Sequence, residues 1–342
     1  MKNKKRIILL EPSSYHYQQD RLFDIGNEHL NRDGTLLPFF RASQVAKENG
    51  HELHTADMCA GYGEGKFEYY SLGILNGEKK FTGVSGVNYS GFMIMEPPVV
   101  APELYAALPK LTAMYDSVYV HNTEGMGYST KNVDMSKLKK FFWPMPYGDV
   151  QEPFWSRSDR KNSIVVINGN HNPGFRAGEQ YSTRIEAMAE LAPSGAIDLY
   201  GFGWKKWWSP RSLWLPYWRN RKSLMSIYKG SCQSKLDTLS KYRFCLCFEN
   251  MAMDGYITEK IIDCFYAGTI PLYLGAPDID KYIPENCYID CREFTSWTDL
   301  LKNVQSMSDE EIEVKREAGK SYLRSAEGQR FFNSLDSVLK IS

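Results

Sequence analysis

Residues 244–274 constrain the fold more tightly than any other part of the chain. Residues 244–248 read FCLCF, five apolar positions in succession. A strand with no polar side is covered on both faces, as the central strands of parallel sheets are. A loop ends at Gly255, and Thr258 follows as a good helix N-cap. Ile261, Ile262, Phe265 and Tyr266 then recur at helical spacing and give that helix a buried face. Residues 270–274, IPLYL, read as a second buried strand. Strand, helix and strand in this order make the crossover unit of a parallel α/β sheet.

The same alternation runs along the rest of the chain. Strands are expected over residues 5–10, 52–56, 91–95 and 117–121. Helices are expected over 39–49, stopped by Gly50, and over 102–114. A polar, proline-bearing stretch over 148–162 reads as a linker. The pattern then restarts, with strands over 163–168 and 196–200 and a helix over 183–192. Two successive units predict two doubly wound domains facing a cleft, residues 1–155 and 156–342. Ser308 with Glu311 fits a capping box that opens a late helix.

A chain of 342 residues is long enough for two such cores. Basic and acidic residues balance at 41 each, which argues against a general nucleic-acid coat but leaves room for a local basic site. The seven cysteines are scattered, with no CxxC pair or Cys/His cluster to suggest zinc, and point to a reducing compartment. The first apolar run stops at Glu11-Pro12, too short for a signal core or a membrane span, so a cytoplasmic location is expected.

Chemistry concentrates where the first buried strand ends. Glu249 and Asn250 follow it, and open α/β sheets bind ligands at that edge. Glu259 and Lys260 fall in the first turn of the next helix. Free N–H groups and the positive end of the dipole favour an anion there. A lysine in that turn opposes the dipole unless something negative neutralises both, and a diphosphate would do so.

Residues 242–277 resemble the C-terminal signature of glycosyltransferase family 10, the α-1,3/4-fucosyltransferases. The resemblance is carried in order by Phe248-Glu249-Asn250, Gly255-Tyr256-Ile257-Thr258-Glu259-Lys260, Ala267-Gly268-Thr269-Ile270-Pro271 and Tyr273-Leu274-Gly275-Ala276-Pro277. Asp198 to Trp204, Tyr228-Lys229-Gly230 and Lys235 extend it across the C-terminal half. The resemblance implies a GT-B architecture of two Rossmann-like domains. It also implies transfer of L-fucose, with inversion, from GDP-β-L-fucose to an acceptor sugar such as N-acetylglucosamine, without a metal. Asp278-Ile279-Asp280 reads as a turn, not a metal-binding DxD motif.

On that resemblance, Lys260 and Arg184 hold the donor's diphosphate, with Arg176 a rival for the arginine's role. Glu259 contacts the ribose or sugar, Asn250 contacts the donor, and Glu249 is a ligand or a support for the loop. Tyr256 lines the donor pocket or acts as a hydrophobic staple, and Thr258 begins the phosphate-facing helix. An inverting transfer needs a carboxylate base. Glu96, at the carboxyl end of an N-terminal strand and where the family carries its proposed base, is the candidate, with Glu124 the runner-up. His121 reads as a packed polar residue.

Residues 204–222 hold five of the eight tryptophans and six basic residues with no acidic one. From Trp204 to Lys222 they fit contact with an anionic membrane, an aromatic sugar platform or an inward-packed insertion. The acceptor is a glycan, lipid-linked if the membrane contact holds. Two other functions share the pattern: transfer from another nucleotide-sugar, or sugar-nucleotide binding without catalysis.

Overall fold

The computed structural model describes residues 5–61, 66–173, 177–205 and 214–342. One unit comprises Met1–Pro146 with Arg330–Ser342, the other Tyr147–Gln329.

The first unit is built on six parallel strands: β1 Ile7–Glu11, β2 Glu52–Thr55, β3 Phe67–Ser71, β4 Val87–Met93, β5 Ser117–Val120 and β6 Leu138–Lys140. Their order is β2-β1-β3-β4-β5-β6. Alternation along β1 sends Ile8 and Leu10 to one face, with Leu53, Tyr70 and Met93, and Leu9 to the other, with Phe67, Phe92 and Val118. The helix Leu37–Glu48 covers the first face through Ala42 and Ala46. The expected helix over 102–114 is two helices, Pro102–Ala106 and Leu108–Met114. Pro109 has no N–H to continue the first and suits the start of the second.

The boundary expected between 155 and 156 differs from the one observed. The chain enters the second unit at Tyr147 and returns to the first at Arg330. The helix Ser334–Leu339 packs on the first unit's sheet face through Leu335, Val338 and Leu339, with Ile341 beyond it. Each fully buried aliphatic side chain contributes about 1.5–3 kcal/mol. Arg6 holds the chain end by donating to the carbonyls of Leu339 and Lys340.

The second unit also has six parallel strands: β7 Lys161–Ile167, β8 Ile197–Tyr200, β9 Tyr228–Gly230, β10 Tyr242–Phe248, β11 Ile270–Leu274 and β12 Ile289–Asp290. Their order, β12-β11-β10-β7-β8-β9, winds outward from β7 and then reverses at β10. That is the Rossmann order, with its switch point between β7 and β10. The expected capping box is present: the Ser308 amide donates to Glu311, and the Glu311 amide to Ser308 Oγ.

Candidate anion-binding site

At the end of β10 the chain turns through Glu249, which is fully buried. Its carboxylate accepts from the Thr258 amide at 2.8 Å, from Thr258 Oγ1 at 2.8 and 3.0 Å, and from Lys260 Nζ at 3.0 Å. Gly275 lies against it, where a Cβ would come within 2.6 Å of Glu249 Cγ. Glu249 thus ties the loop to the helix Glu259–Ala267, whose N-cap is the buried Thr258.

This network corrects one step of the sequence argument. A cation in the first helical turn needs a negative partner, but Glu249 already supplies one. Burial alone would lower the Lys260 pKa, and the carboxylates of Glu249 and Glu259 outweigh it, pushing it up to about 12. Glu259 is the mirror case. Burial would raise its pKa, but Lys260 at 3.7 Å and Lys235 at 3.9 Å hold it down to about 2. Lys235 is itself paired with Asp263 at 2.6 Å.

Arg184 is the cation at this edge that lacks a close ion pair among the described residues, although the Glu249 carboxylate is near enough to favour its charge. It lies in the first turn of the helix Tyr181–Leu191 and is buried. Nη2 donates to the carbonyls of Phe248 at 2.6 Å and Glu249 at 3.1 Å. Among the described residues no carboxylate forms an ion pair with it, and burial pushes its pKa down. A buried guanidinium is costly, Glu249 offsets only part of that cost, and an anionic ligand would offset more. The amides at the start of this helix are not open to an anion, because Glu179 accepts from Tyr181 N and Ser182 N at 2.7 and 3.0 Å. An anion beside this helix would meet the Arg184 side chain and not the helix amides. Arg176 lies outside the described residues.

Arg184, Lys235, Lys260 and Asn168 line one hollow of about 20 Å³ beside Cys247 and Phe248. It sits at the carboxyl ends of β7 and β10, where the strand order reverses. The structure therefore brings Arg184, Lys260, Glu249, Thr258 and Glu259 together. It adds Asn168, Lys235 and Asp263, to which the sequence reading gave no role. The visible signal for Asn168 is a polar residue directly after an apolar strand. Its backbone is fixed by Trp204 Nε1, which donates to its carbonyl at 2.9 Å. Gly201, at φ +135°, leaves room for that carbonyl where a Cβ would stand 1.9 Å away.

Asn250 and Tyr256 meet each other, with Asn250 Nδ2 3.4 Å from the Tyr256 hydroxyl. Tyr256 is fully buried and Asn250 half-buried. Their loop is pinned by Asp278, which accepts from the Gly255 amide at 2.7 Å.

Glu96 belongs to the first unit and follows the end of β4. It is half-buried, and Tyr105 Oη donates to its backbone carbonyl at 3.1 Å. Glu124 is exposed in the loop after β5. His121 is buried, with Nε2 2.8 Å from the Met95 carbonyl and its ring stacked on Trp143. All seven cysteines are free. Among the described residues no cluster of three or more His, Cys, Asp or Glu could hold a metal ion, and no helix is long and apolar enough to cross a membrane.

Residues 174–316 match the family described as glycosyltransferase family 10 (fucosyltransferase), C-terminal part. Alpha-(1,3)-fucosyltransferase FucT of Helicobacter pylori is 29% identical over 109 residues, 32% of this chain and 23% of that protein. The match thus spans less than a quarter of that relative's length. The crystal structure of an alpha1,3-fucosyltransferase superposes with a TM-score of 0.52 at 13% identity, covering 98% of this chain and 88% of that one. An alpha-glucosyltransferase solved with UDP-glucose and DNA containing an abasic site superposes with a TM-score of 0.58 at 12% identity, covering 98% and 99%. At such identities the likeness is one of fold, two Rossmann-like domains of the GT-B class.

Proposed function

We propose, from the premise that this chain belongs to glycosyltransferase family 10 through residues 174–316, that it moves L-fucose from GDP-β-L-fucose to an acceptor hydroxyl with inversion. The observation that carries this reading is Arg184, a buried guanidinium that forms no ion pair among the described residues and lines the same switch-point hollow as Lys260.

The reaction is a direct displacement. The acceptor oxygen forms its bond to C1 of fucose as the bond from C1 to the β-phosphate oxygen breaks. The acceptor's proton goes to Glu96, and GDP leaves with the bonding pair. Arg184 and Lys260 stabilise charge that develops on the departing diphosphate, so they act chiefly in the transition state. Diphosphate binding draws Lys260 away from Glu249, whose second partner, Thr258, remains. Glu259, kept ionised by Lys235 and Lys260, accepts hydroxyls of the donor. These side chains take the place of a metal in neutralising the leaving group. The acceptor sugar is N-acetylglucosamine or a close relative, joined α-1,3, in a lipopolysaccharide or other surface glycan assembled in the cytoplasm.

The test is incubation with radiolabelled GDP-fucose and a panel holding N-acetyllactosamine and lacto-N-biose. Label in a product glycan supports the reading, and no transfer to any acceptor, with no donor hydrolysis, removes it. The fold it shares with a glucosyltransferase solved with UDP-glucose makes a second donor the rival reading. Thermal shift separates the two, since GDP and not UDP should raise the melting temperature.

A further inference from the structure

The transfer reaction leaves one feature of the sequence without a role, the acid-free stretch from Leu199 to Leu236. The structure divides its aromatic residues sharply. Trp204 and Trp214 are buried, and Tyr217 closes over the first by donating to its carbonyl at 2.5 Å. These belong to the fold, so the expected membrane contact by the whole of residues 204–222 does not include them. Trp207 and Trp208 lie outside the described residues.

The helix Leu215–Ile227 is what remains. Its inward side is Tyr217, Leu224 and Ile227, all buried. Leu215, Trp218, Arg219 and Lys222 fall at i, i+3, i+4 and i+7, one face of the helix, and all four are exposed. Leu215 is 52% exposed and Trp218 37%, and Phe202, at 59%, precedes the Trp204 turn held against this helix. Large apolar side chains at helical spacing on an outer face, interleaved with cations, give no gain in a protein surrounded only by water.

The charges point the same way. Lys229 and Lys235, in the same acid-free stretch, find carboxylates elsewhere: Asp198 at 3.2 Å and Asp263 at 2.6 Å. Among the described residues no carboxylate forms an ion pair with Arg219 or Lys222. The face is therefore cationic without compensation, in a chain whose total charge is zero.

We propose that this outer face, Leu215, Trp218, Arg219 and Lys222, docks on an anionic lipid surface. Tryptophan favours the level of the headgroups, and cations beside it meet acidic lipid. A polynucleotide or an acidic polysaccharide would satisfy Arg219 and Lys222 but would give Leu215 no apolar partner. The face shares no residue with the hollow, so it can be tested apart from the transfer reaction.

The experiment is co-sedimentation of the full chain with vesicles rich in phosphatidylglycerol and with vesicles of phosphatidylcholine alone. Binding to the first at low ionic strength is expected, weakening as salt is raised. Each cation removed should weaken it about fivefold, so Arg219→Glu with Lys222→Glu should lose more than about twenty-five-fold. Trp218→Ser should abolish most of the blue shift in tryptophan emission that accompanies binding. The fold of each variant is checked by its melting temperature, and transfer to a soluble acceptor should match wild type. Three results would overturn the proposal: no binding to phosphatidylglycerol vesicles at low salt, undiminished binding by the double reversal, or preference for heparin or single-stranded DNA over vesicles. Vesicle binding by a chain that transfers no fucose would leave this proposal standing and count against the transfer reading alone.

Discussion

Where the strand order reverses, the two units use the same geometry differently. Between β1 and β3 the carboxyl edge carries an acidic group with its own cation. Glu11 is buried there, Lys80 reaches its carboxylate at 2.6 Å, and Gly77 packs so closely that a Cβ would meet the Tyr69 hydroxyl at 2.4 Å. Between β7 and β10 the edge keeps a hollow, and the groups around it are Arg184, Lys235 and Lys260. Two sheets of six parallel strands thus have unlike chemistry at equivalent points. The sheet supplies the crevice, and the residues just beyond each strand decide which groups face it. In the first unit the carboxylate proposed as the base lies one strand further on, at Glu96 after β4.

If the units divide the work in this way, the largest effect should come from the group in the first. Glu96→Gln removes the proposed base and should lower kcat by about 10²- to 10⁴-fold. It should leave the GDP-induced rise in melting temperature unchanged, because the hollow lies wholly in the second unit. Steady-state kinetics beside thermal shift would check this. Near-normal turnover would take Glu96 out of the scheme, and a lost GDP response would undo the division of labour.

Next in size is Arg184→Met. Loss of the buried guanidinium should cost on the order of a hundredfold in kcat/KM for the donor and abolish the GDP response. Arg184→Lys keeps a charge but not the planar fork, and should still lose more than about tenfold. A lysine variant as active as wild type would show that only net charge matters at this edge.

Lys260 sharpens the comparison because the structure gives it two roles. Lys260→Met leaves Glu249 buried without its ion-pair partner and held by Thr258 alone, a loss of about 3 kcal/mol by denaturant titration. Adding Glu249→Gln should recover much of that stability, since the stranded charge is gone, yet transfer should stay near zero. Recovery of activity together with stability would make Lys260 a structural residue and leave Arg184 as the leaving-group cation.

The parallel α/β character was legible because it is written locally. Residues 270–274 are a strand as read, Ser308 and Glu311 form their capping box, and Thr258 caps its helix. What stayed illegible depends on distant partners. β6 and β9 have three residues each, and β12 only two, too few for a period to show. The return of Arg330–Ser342 to the first unit is fixed by contacts with residues some three hundred positions earlier. At the site, the cluster from Glu249 to Lys260 could be read from one segment of chain. That Glu249 already neutralises Lys260, and that Glu179 closes the Arg184 helix, could not, since both follow from side-chain direction. The five tryptophans of residues 204–222 looked alike in sequence, and only packing separates the buried Trp204 and Trp214 from the outward Trp218.

The smallest expected effect concerns how widely in pH the second unit's edge keeps its charges. Glu259 is held down to about 2, below the usual carboxylate value of about 4.3. Its ionised form therefore stabilises the fold fully above that usual value, and the contribution fades as pH falls toward about 2. Lys260 is pushed up to about 12, above its usual value of about 10.4. Its contribution is complete below the usual value and fades as pH climbs toward about 12. Between those limits neither group titrates. The difference in melting temperature between wild type and Glu259→Gln should therefore stay level from about pH 5 to about pH 9 and shrink below about pH 4. Glu259 is partly exposed, so the difference itself should be small. A slope inside the level range would mean that another titrating group is coupled to this edge. With a level response, any bell in the pH profile of transfer falls to a group outside the edge, and Glu96 in the first unit is the one to test.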